Sequence, residues 1–521
     1  MIAFSNLSNI ISLSGKRMSF ADGKGGSSPF SISDLVKTLK NAKVSFEKNL
    51  PVKALLSDSR RVCDGAVFFA VKGLVCDGNL FVEEAIHRGA IAIVSENPAP
   101  KICPITWIEV ESIAQAKADA AKIFYEKSDE SLNITAVTGT NGKTSVTWMI
   151  KHMSSYLEEK CALMGTIQYD LGGRCLPSGR TTPDALELYA LLYQMKNASC
   201  KSLAMEISSH ALEQGRVKNL DIDCACFTNL TQDHIDYHKS MDAYFESKAL
   251  LFDGSVCKKP KFAVINFDDP KGIELANRID TSATKIISFG IKNTDAMIRA
   301  ENLQMDSKSS SFTLVYPEGE TKCILNMPGN YNVSNALTAL AALYAQDKDI
   351  VKASESLRDF KGVPGRMEAV KNNANINIYI DYAHTDDALK NGLSMLREIT
   401  KGKLLVVFGC GGKRDRSKRA PMVKAVQKYA DIAWATSDNP RGEDINQIFN
   451  DMKEGVEFPE KIAFIENRRR AINLALSAAS EGDCVLIAGK GHETFQELGD
   501  TIIPFDDKKV AEELLALKEL S

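Results

Sequence analysis

The stretch TGTNGKTS, Thr138 to Ser145, sets two glycines, a lysine and several hydroxyl residues in an order suited to holding phosphate oxygens. Gly139 and Gly142 let the chain turn tightly, so that the N–H groups of Thr140, Asn141 and the residues after them can face an anion at a helix N-terminus. Lys143 adds a point charge, and Thr144, followed by Ser145, offers a hydroxyl to a magnesium ion. The stretch departs from the G-x-x-x-x-G-K-T pattern, because Val137 stands where its first glycine belongs. A purely structural glycine turn is the alternative. The apolar run before it and the helical period after it favour ATP.

Magnesium on a nucleotide needs further ligands. Glu206 in AMEISSHALEQGR and His234 in NLTQDHIDYH each follow a strand-like run, and ligands collect at the carboxyl ends of parallel strands. Either residue alone would more often be structural. Lys248 in YFESKALLF lies on an amphipathic helical pattern, and spacing by itself reads it as solvated surface. Later, TSDNPRGED packs an acid, an amide, a proline and an arginine into Asp438 to Arg441. Pro440 fixes its own φ and biases Asn439 away from the helical region, giving a pre-shaped loop with polar ends. An acid beside a guanidinium can read an ammonium and a carboxylate together; an ordinary surface turn is the alternative. Ser59 and Arg60, in DSRRV, fit either a polar ligand or a solvated charge cluster.

These residues need a frame. With 521 residues the chain calls for roughly two to four domains. Charged residues make up 25% and the formal net charge is -3, so no global field draws the chain to nucleic acid or to a membrane surface. The basic run KRDRSKR, 413 to 419, is too short to reverse that. Apolar runs such as KLLVVFG are strand-sized and exclude membrane insertion by a helix. Twelve scattered cysteines without a CxxC pair fit free thiols in a reducing compartment.

Residues 1–30 read as a flexible leader. A small α/β unit follows over 31–127, with GAVFFAVKG and AIAIVSE as strands around the helix NLFVEEAIHRG. Over 128–345, strands and helices alternate as a mostly parallel sheet requires, with antiparallel strands appended near 292–315. A third α/β unit, 346–521, has INIYIDYAHT, KLLVVFGCGG, DIAWATSD and DCVLIAGKG as strands.

Taken together, TGTNGKTS, TTPD, EISSHALEQGR, TNLTQDHIDYH, YFESKALLF, PGRME, DYAHT, GCGGKRDRSKR, DNPRGED and GKGHE resemble, in content and order, the bacterial Mur ligases. The resemblance is to their MurE type, which adds the third amino acid to a UDP-N-acetylmuramoyl dipeptide, and it runs from about residue 50 to the C-terminus. It implies an α/β protein of three domains: an N-terminal UDP-sugar domain, a central P-loop ATPase with a parallel sheet, and a C-terminal Rossmann-like domain for the incoming amino acid. It implies a cytoplasmic, monomeric enzyme that uses ATP and Mg2+ and joins an amino acid to a carboxylate through an acyl phosphate. By the same resemblance Ser59 holds the uridine diphosphate. Thr181, Thr182, Ser208, Gln214 and Arg216 hold the muramoyl peptide, and Thr144, Glu206 and His234 serve magnesium. Lys248 is implied to be carbamylated, which overturns its bland reading.

Asn332, Arg366 and His384 are implied to flank the nucleotide, and Arg414, Asp438, Asn439, Arg441, Gly489 and Glu493 to bind the amino acid. Within the family, DNPR followed by an acid, here Glu443, accompanies meso-2,6-diaminopimelate, whose distal carboxylate Arg441 would take as a two-pronged partner. L-lysine is the alternative substrate. A related folate ligase and a catalytically inactive nucleotide-binding protein are more distant alternatives. One departure stands out: the usual proline after DYAHT is Asp386.

Overall fold

The structure, a computed structural model, describes residues 30–73, 76–306 and 308–519. The leader expected over 1–30 lies outside the described residues except for Phe30, which is buried in the first core.

Three α/β units follow one another, each built on its own sheet. The first sheet has five strands in the order Lys43–Ser45, Thr106–Glu109, Ala90–Ser95, Ala66–Ala70 and Ala54–Leu56, parallel except for the first. The two strands expected here are neighbours within it. The expected helix between them is split: a 3-10 turn, Gly78–Phe81, precedes a short α-helix, Val82–His87. The cause is local, because the Asp77 carboxylate accepts from Asn79 N at 2.9 Å and tightens that first turn.

The central sheet has eleven strands. Its parallel core runs Lys285–Gly290, Phe262–Asn266, Cys224–Phe227, Asn133–Thr138, Ser202–Glu206, Cys161–Met164. On one side Ile298–Met305 continues it in parallel, where the polar stretch 292–315 was expected to add antiparallel strands only; Ser310–Tyr316 pairs antiparallel as expected, and Gly319–Leu325, not singled out in the sequence, adds a further antiparallel strand. On the other side the hairpin Gln168–Asp170 and Cys175–Pro177 extends it, which the sequence reading missed. Helix Lys143–Tyr156 lays Val146, Met149, Ile150 and Met153 against the sheet at helical spacing, all at most 2% exposed. Each such side chain contributes about 1.5–3 kcal/mol relative to exposure. Helix Asn330–Ala345 is apolar on nearly every side because it is wedged between that helix and the sheet.

The third sheet has six strands: Glu368–Val370, Asn377–Asp381, Cys484–Ala488, Leu404–Cys410, Ile432–Ser437, Ile462–Ile465. The last five are mutually parallel, so the segments after them, including those of His384, Gly489, Gly411 and Asp438, leave the sheet on one edge. A hairpin, Phe495–Leu498 with Thr501–Pro504, stands beside that edge.

Candidate active site

The glycine turn leaves strand Asn133–Thr138, which lies between Cys224–Phe227 and Ser202–Glu206 in the central sheet. Gly139 has φ +140° and Gly142 φ +90°, and a Cβ on either would collide, with Thr228 Oγ1 or with Asn335 Oδ1. The next strand end fixes the turn from outside. Thr140 N donates to Asn229 O at 2.9 Å, Asn141 N to Asn229 Oδ1 at 2.9 Å, and Thr228 Oγ1 to Asn141 O at 2.6 Å. Lys143 Nζ donates to Gly139 O at 2.9 Å and Thr140 O at 2.8 Å. Thr144 and Ser145 open the helix and line, with the turn, a cavity of about 330 Å3.

Glu206 ends the neighbouring strand, only 1% exposed. Its Oε2 accepts from Thr144 Oγ1 and Thr166 Oγ1, both at 3.0 Å, and its Oε1 from Thr166 N at 2.8 Å. Thr166 was not singled out in the sequence; a threonine two residues past an apolar strand carries too little signal. His234, in left-handed backbone at φ +55°, is on the wall of the same cavity. Burial pushes its imidazole down to about 4, and Asp233, with Oδ2 at 3.5 Å from Nε2, opposes that. Among the described residues no three His, Cys, Asp or Glu side chains gather as a ready metal cage. The pair that fits magnesium is Thr144 with Glu206, a hydroxyl and a carboxylate oxygen in contact, since that ion prefers few protein oxygens and keeps waters. Lys248 is 1% exposed, so the structure contradicts its reading as solvated surface. Its Nζ donates to Gly139 O at 3.0 Å and lies 4.2 Å from the Tyr244 ring centroid. Burial, then Lys143, drives the ammonium well below its usual pKa.

The far wall of the cavity comes from the third unit. Arg366 lies with its guanidinium 4.5 Å from the Tyr382 ring centroid, and its Nη2 reaches Thr144 Oγ1 at 3.5 Å. The ring nitrogen Nδ1 of His384 is 2.7 Å from Tyr382 O, and burial lowers its pKa. Asn332 is on the wall too, with Nδ2 donating to Pro328 O at 2.7 Å. Two groups around this cavity, Arg366 Nε and Tyr331 OH, are buried without a partner among the described residues. The replacement of proline by Asp386 is benign: it is the first residue of helix Asp386–Ile399, where both a proline and an acid are favoured.

The candidates for the peptide substrate divide. Thr181 and Ser208 line the cavity; Thr181 Oγ1 is 3.0 Å from Thr166 Oγ1, and Ser208 Oγ caps the helix Ser209–Glu213 by accepting from Ala211 N. Thr182 is fully buried, donates to Glu206 O at 2.9 Å and accepts from Ser208 N at 3.1 Å, so it braces the strand end. Gln214 Oε1 accepts from Arg216 Nε at 3.1 Å, while Arg216 Nη1 donates to Thr182 O at 3.1 Å. Ser59 is apart from this cavity, 7% exposed, and donates to Glu84 Oε2 at 2.8 Å.

The DNPR loop follows strand Ile432–Ser437 and abuts the glycine turn after its neighbour. Gly412 N donates to Asn439 O at 2.9 Å, and a Cβ on Gly412 would strike Pro440 O. Asn439 Nδ2 donates to Glu493 Oε2 at 2.8 Å, and a Cβ on Gly489 would be 2.7 Å from Asp438 Oδ2. Arg414 is exposed beside Gly411. Glu443 is turned away from this group: its carboxylate accepts from Arg419 Nη1 at 2.8 Å and from Lys413 N at 2.8 Å, so it braces the turn. Lys490 was missed. It is fully buried and donates to Asn439 Oδ1 at 3.1 Å and Glu493 Oε2 at 3.0 Å; its place between Gly489 and Gly491, both left-handed, is the signal that could have found it.

Three family models cover most of the chain: the Mur ligase family catalytic domain over residues 51–137, the Mur ligase middle domain over 137–343, and the Mur ligase glutamate ligase domain over 365–491. UDP-N-acetylmuramoyl-L-alanyl-D-glutamate--2,6-diaminopimelate ligase of Geobacillus kaustophilus is 42% identical over 468 residues, 89% of this chain and 94% of that protein. The protein of the same name from Alkaliphilus metalliredigens is 36% identical across 92% of this chain and 97% of its own. A solved structure bearing that name superposes with a TM-score of 0.64 at 33% identity, covering 90% of this chain and 96% of the other.

Proposed function

The chain belongs to the Mur ligase family, and we infer from that premise which of its groups handle each substrate. It is an ATP-dependent amide ligase that adds 2,6-diaminopimelate to the D-glutamyl carboxylate of UDP-N-acetylmuramoyl-L-alanyl-D-glutamate, a step in making peptidoglycan precursors. The observation that carries the assignment of groups is one cavity walled by Lys143, Thr144 and Glu206 from the central unit and by Arg366 and His384 from the third.

Joining a carboxylate to an amine in water requires activation, which the family supplies by phosphorylating the carboxylate and letting the amine displace phosphate. Lys143 and the N–H groups of the turn hold the terminal phosphates, a positioning and electrostatic task that needs no covalent protein nucleophile. Thr144 and Glu206, with His234 beside them, would hold magnesium, which would supply positive charge for the oxygens of the transferring phosphoryl group. Arg366 adds a cation from the opposite wall, so approach of the two units completes the site. Asn332 and His384 flank the nucleotide. Burial, which makes the Lys248 ammonium easier to deprotonate, favours its amine as a nucleophile for CO2; loss of the remaining N–H proton to water would leave a carbamate whose negative charge would help hold magnesium.

Thr181, Ser208, Gln214 and Arg216 hold the muramoyl peptide, with Thr182 bracing them, and Ser59 with its helix turn serves the uridine diphosphate end. At the third sheet's edge Arg441 takes the distal carboxylate of meso-diaminopimelate, and Asp438, Asn439, Gly489 and Glu493 surround the zwitterion with Arg414 beside them. L-lysine lacks that carboxylate and would leave Arg441 unfilled. Among the described residues no helix is long and apolar enough to cross a membrane.

The deciding experiment is phosphate release with ATP, magnesium and the UDP-muramoyl dipeptide, comparing meso-diaminopimelate with L-lysine and checking the product mass. Turnover with diaminopimelate that collapses in Arg441→Ala supports the reading. Equal turnover with lysine would keep the ligase and discard the clamp.

A further inference from the structure

The DNPR loop is held residue by residue by the strand Phe495–Leu498 of the small hairpin. Gln496 Nε2 donates to Asp438 O at 2.8 Å and to Ser437 Oγ at 3.1 Å. Glu497 is bound at three points. Its N–H donates to Asn439 Oδ1 at 3.0 Å, its carbonyl accepts from Arg441 N at 3.3 Å, and its carboxylate Oε2 is 2.6 Å from Arg441 Nε. Arg441 itself is in left-handed backbone at φ +51°, followed by Gly442 at φ +78°. A non-glycine residue adopts that conformation when its surroundings over-determine it. Here Glu497 supplies both the backbone acceptor and the side-chain partner.

The guanidinium is directional. Its Nε side is taken by Glu497, while its Nη1 lies over the glycine turn, where a Cβ on Gly411 would be 2.9 Å away and Gly412 O is a distant acceptor at 3.5 Å. A hydrogen bond of that length is weak, so the Nη edge keeps its capacity for a carboxylate. The pair is partly screened from water, with Arg441 at 26% and Glu497 at 30% side-chain exposure. An arginine held along one edge loses less rotamer freedom when a ligand fills the other.

We propose that Glu497 is a positioning residue for substrate choice, fixing the Arg441 guanidinium by its Nε edge so that the Nη edge faces the distal carboxylate of the incoming amino acid. This rests on the reading of Arg441 as the partner of that carboxylate. A lysine substrate gains nothing from the arrangement, so the effect of Glu497 falls on discrimination rather than on phosphate transfer.

The test is steady-state kinetics on the full chain for Glu497→Gln, Glu497→Asp, Arg441→Ala and the double variant Arg441→Ala with Glu497→Gln. The expected result for Glu497→Gln is a KM for meso-diaminopimelate raised by about tenfold, as for loss of one charge-assisted contact. Its KM for ATP stays in place, and its preference for diaminopimelate over L-lysine falls by a similar factor. Glu497→Asp restores part of the loss, and Glu497→Gln adds nothing once Arg441 is alanine. The inference is overturned if Glu497→Gln leaves the diaminopimelate KM within about twofold while Arg441→Ala abolishes the preference, if all KM values rise together with a lower Tm, or if the two substitutions add independently. If Arg441→Ala leaves the preference intact, the reading of Arg441 itself fails, and this inference with it.

Discussion

Lys143 and Lys248 donate to one and the same acceptor, the carbonyl oxygen of Gly139, at 2.9 and 3.0 Å. One lysine comes from the helix that follows the turn, the other from helix Met241–Ala249, and the carbonyl is the first of the glycine turn. A second lysine on the same peptide oxygen makes the environment of Lys248 doubly hostile to a charge on its own amine, by burial first and by Lys143 second.

Lys248→Met is therefore expected to leave the fold intact, with an unchanged or higher Tm, because it removes a buried polar group whose contacts are the Gly139 carbonyl and the Tyr244 ring rather than a carboxylate. Its kcat falls by about 100-fold or more, the scale of losing a preorganised electrostatic group. Removing CO2 from the wild-type assay lowers activity and bicarbonate restores it. Phosphate release under argon with and without added bicarbonate measures this, and indifference to CO2 would discard the carbamate.

Glu206→Gln keeps its acceptor oxygen for Thr166 N but loses the charge that magnesium needs. The expectation is a kcat lower by about 100-fold. The magnesium concentration for half-maximal activity should rise as well, read from a metal titration. A loss of kcat at unchanged magnesium dependence would reduce Glu206 to a brace for Thr144.

Arg468 and Asp507 form a fully buried pair, with Nε to Oδ1 at 2.7 Å and Nη2 to Oδ2 at 2.6 Å, and Arg468 Nη2 also donates to Ala488 O at 2.9 Å. Asp507→Asn strands the guanidinium, so stability falls by about 3–5 kcal/mol. Denaturant unfolding followed by circular dichroism tests this.

Glu443 is held down to about 2, mainly by its hydrogen bonds to Arg419, from an ordinary 4.5. The folded chain thus binds the proton more weakly than the unfolded one. The stability Glu443 contributes is complete above about pH 4.5 and is lost as pH falls towards 2. Glu443→Gln should lower Tm at pH 7 and flatten its decline across that acid window. Parallel Tm profiles for the two proteins would show that the carboxylate contributes nothing.

What could be read in advance follows from where the information lies. The strand, glycine turn and helix around Gly139 to Thr144 were legible because those residues are contiguous and strand and helix adjoin them. Lys248 was not legible from spacing, since its burial depends on Gly139 lying 109 positions away. Nor was the role of Glu443, which looked like part of the ligand set and turned out to brace Arg419. Lys490 and Glu497 escaped for the same reason. They meet Asn439 and Arg441 only because strand Leu404–Cys410 stands between Ile432–Ser437 and Cys484–Ala488 in the finished sheet. The hairpin Gln168–Asp170 with Cys175–Pro177 was also missed, because three residues of alternation give no period to read.

Strand Asn133–Thr138 is seventh of eleven in the central sheet, with six strands on one side and four on the other. Its amide protons can reach solvent only when the whole unit opens, so their exchange with deuterium should report global unfolding. The hairpin that holds Arg441 has two strands and no further sheet, and its amides should exchange through local opening. The turn proposed to hold phosphate is therefore expected to be anchored in the slowest-exchanging part of the chain, and the loop proposed to recognise the incoming amino acid on one of the fastest.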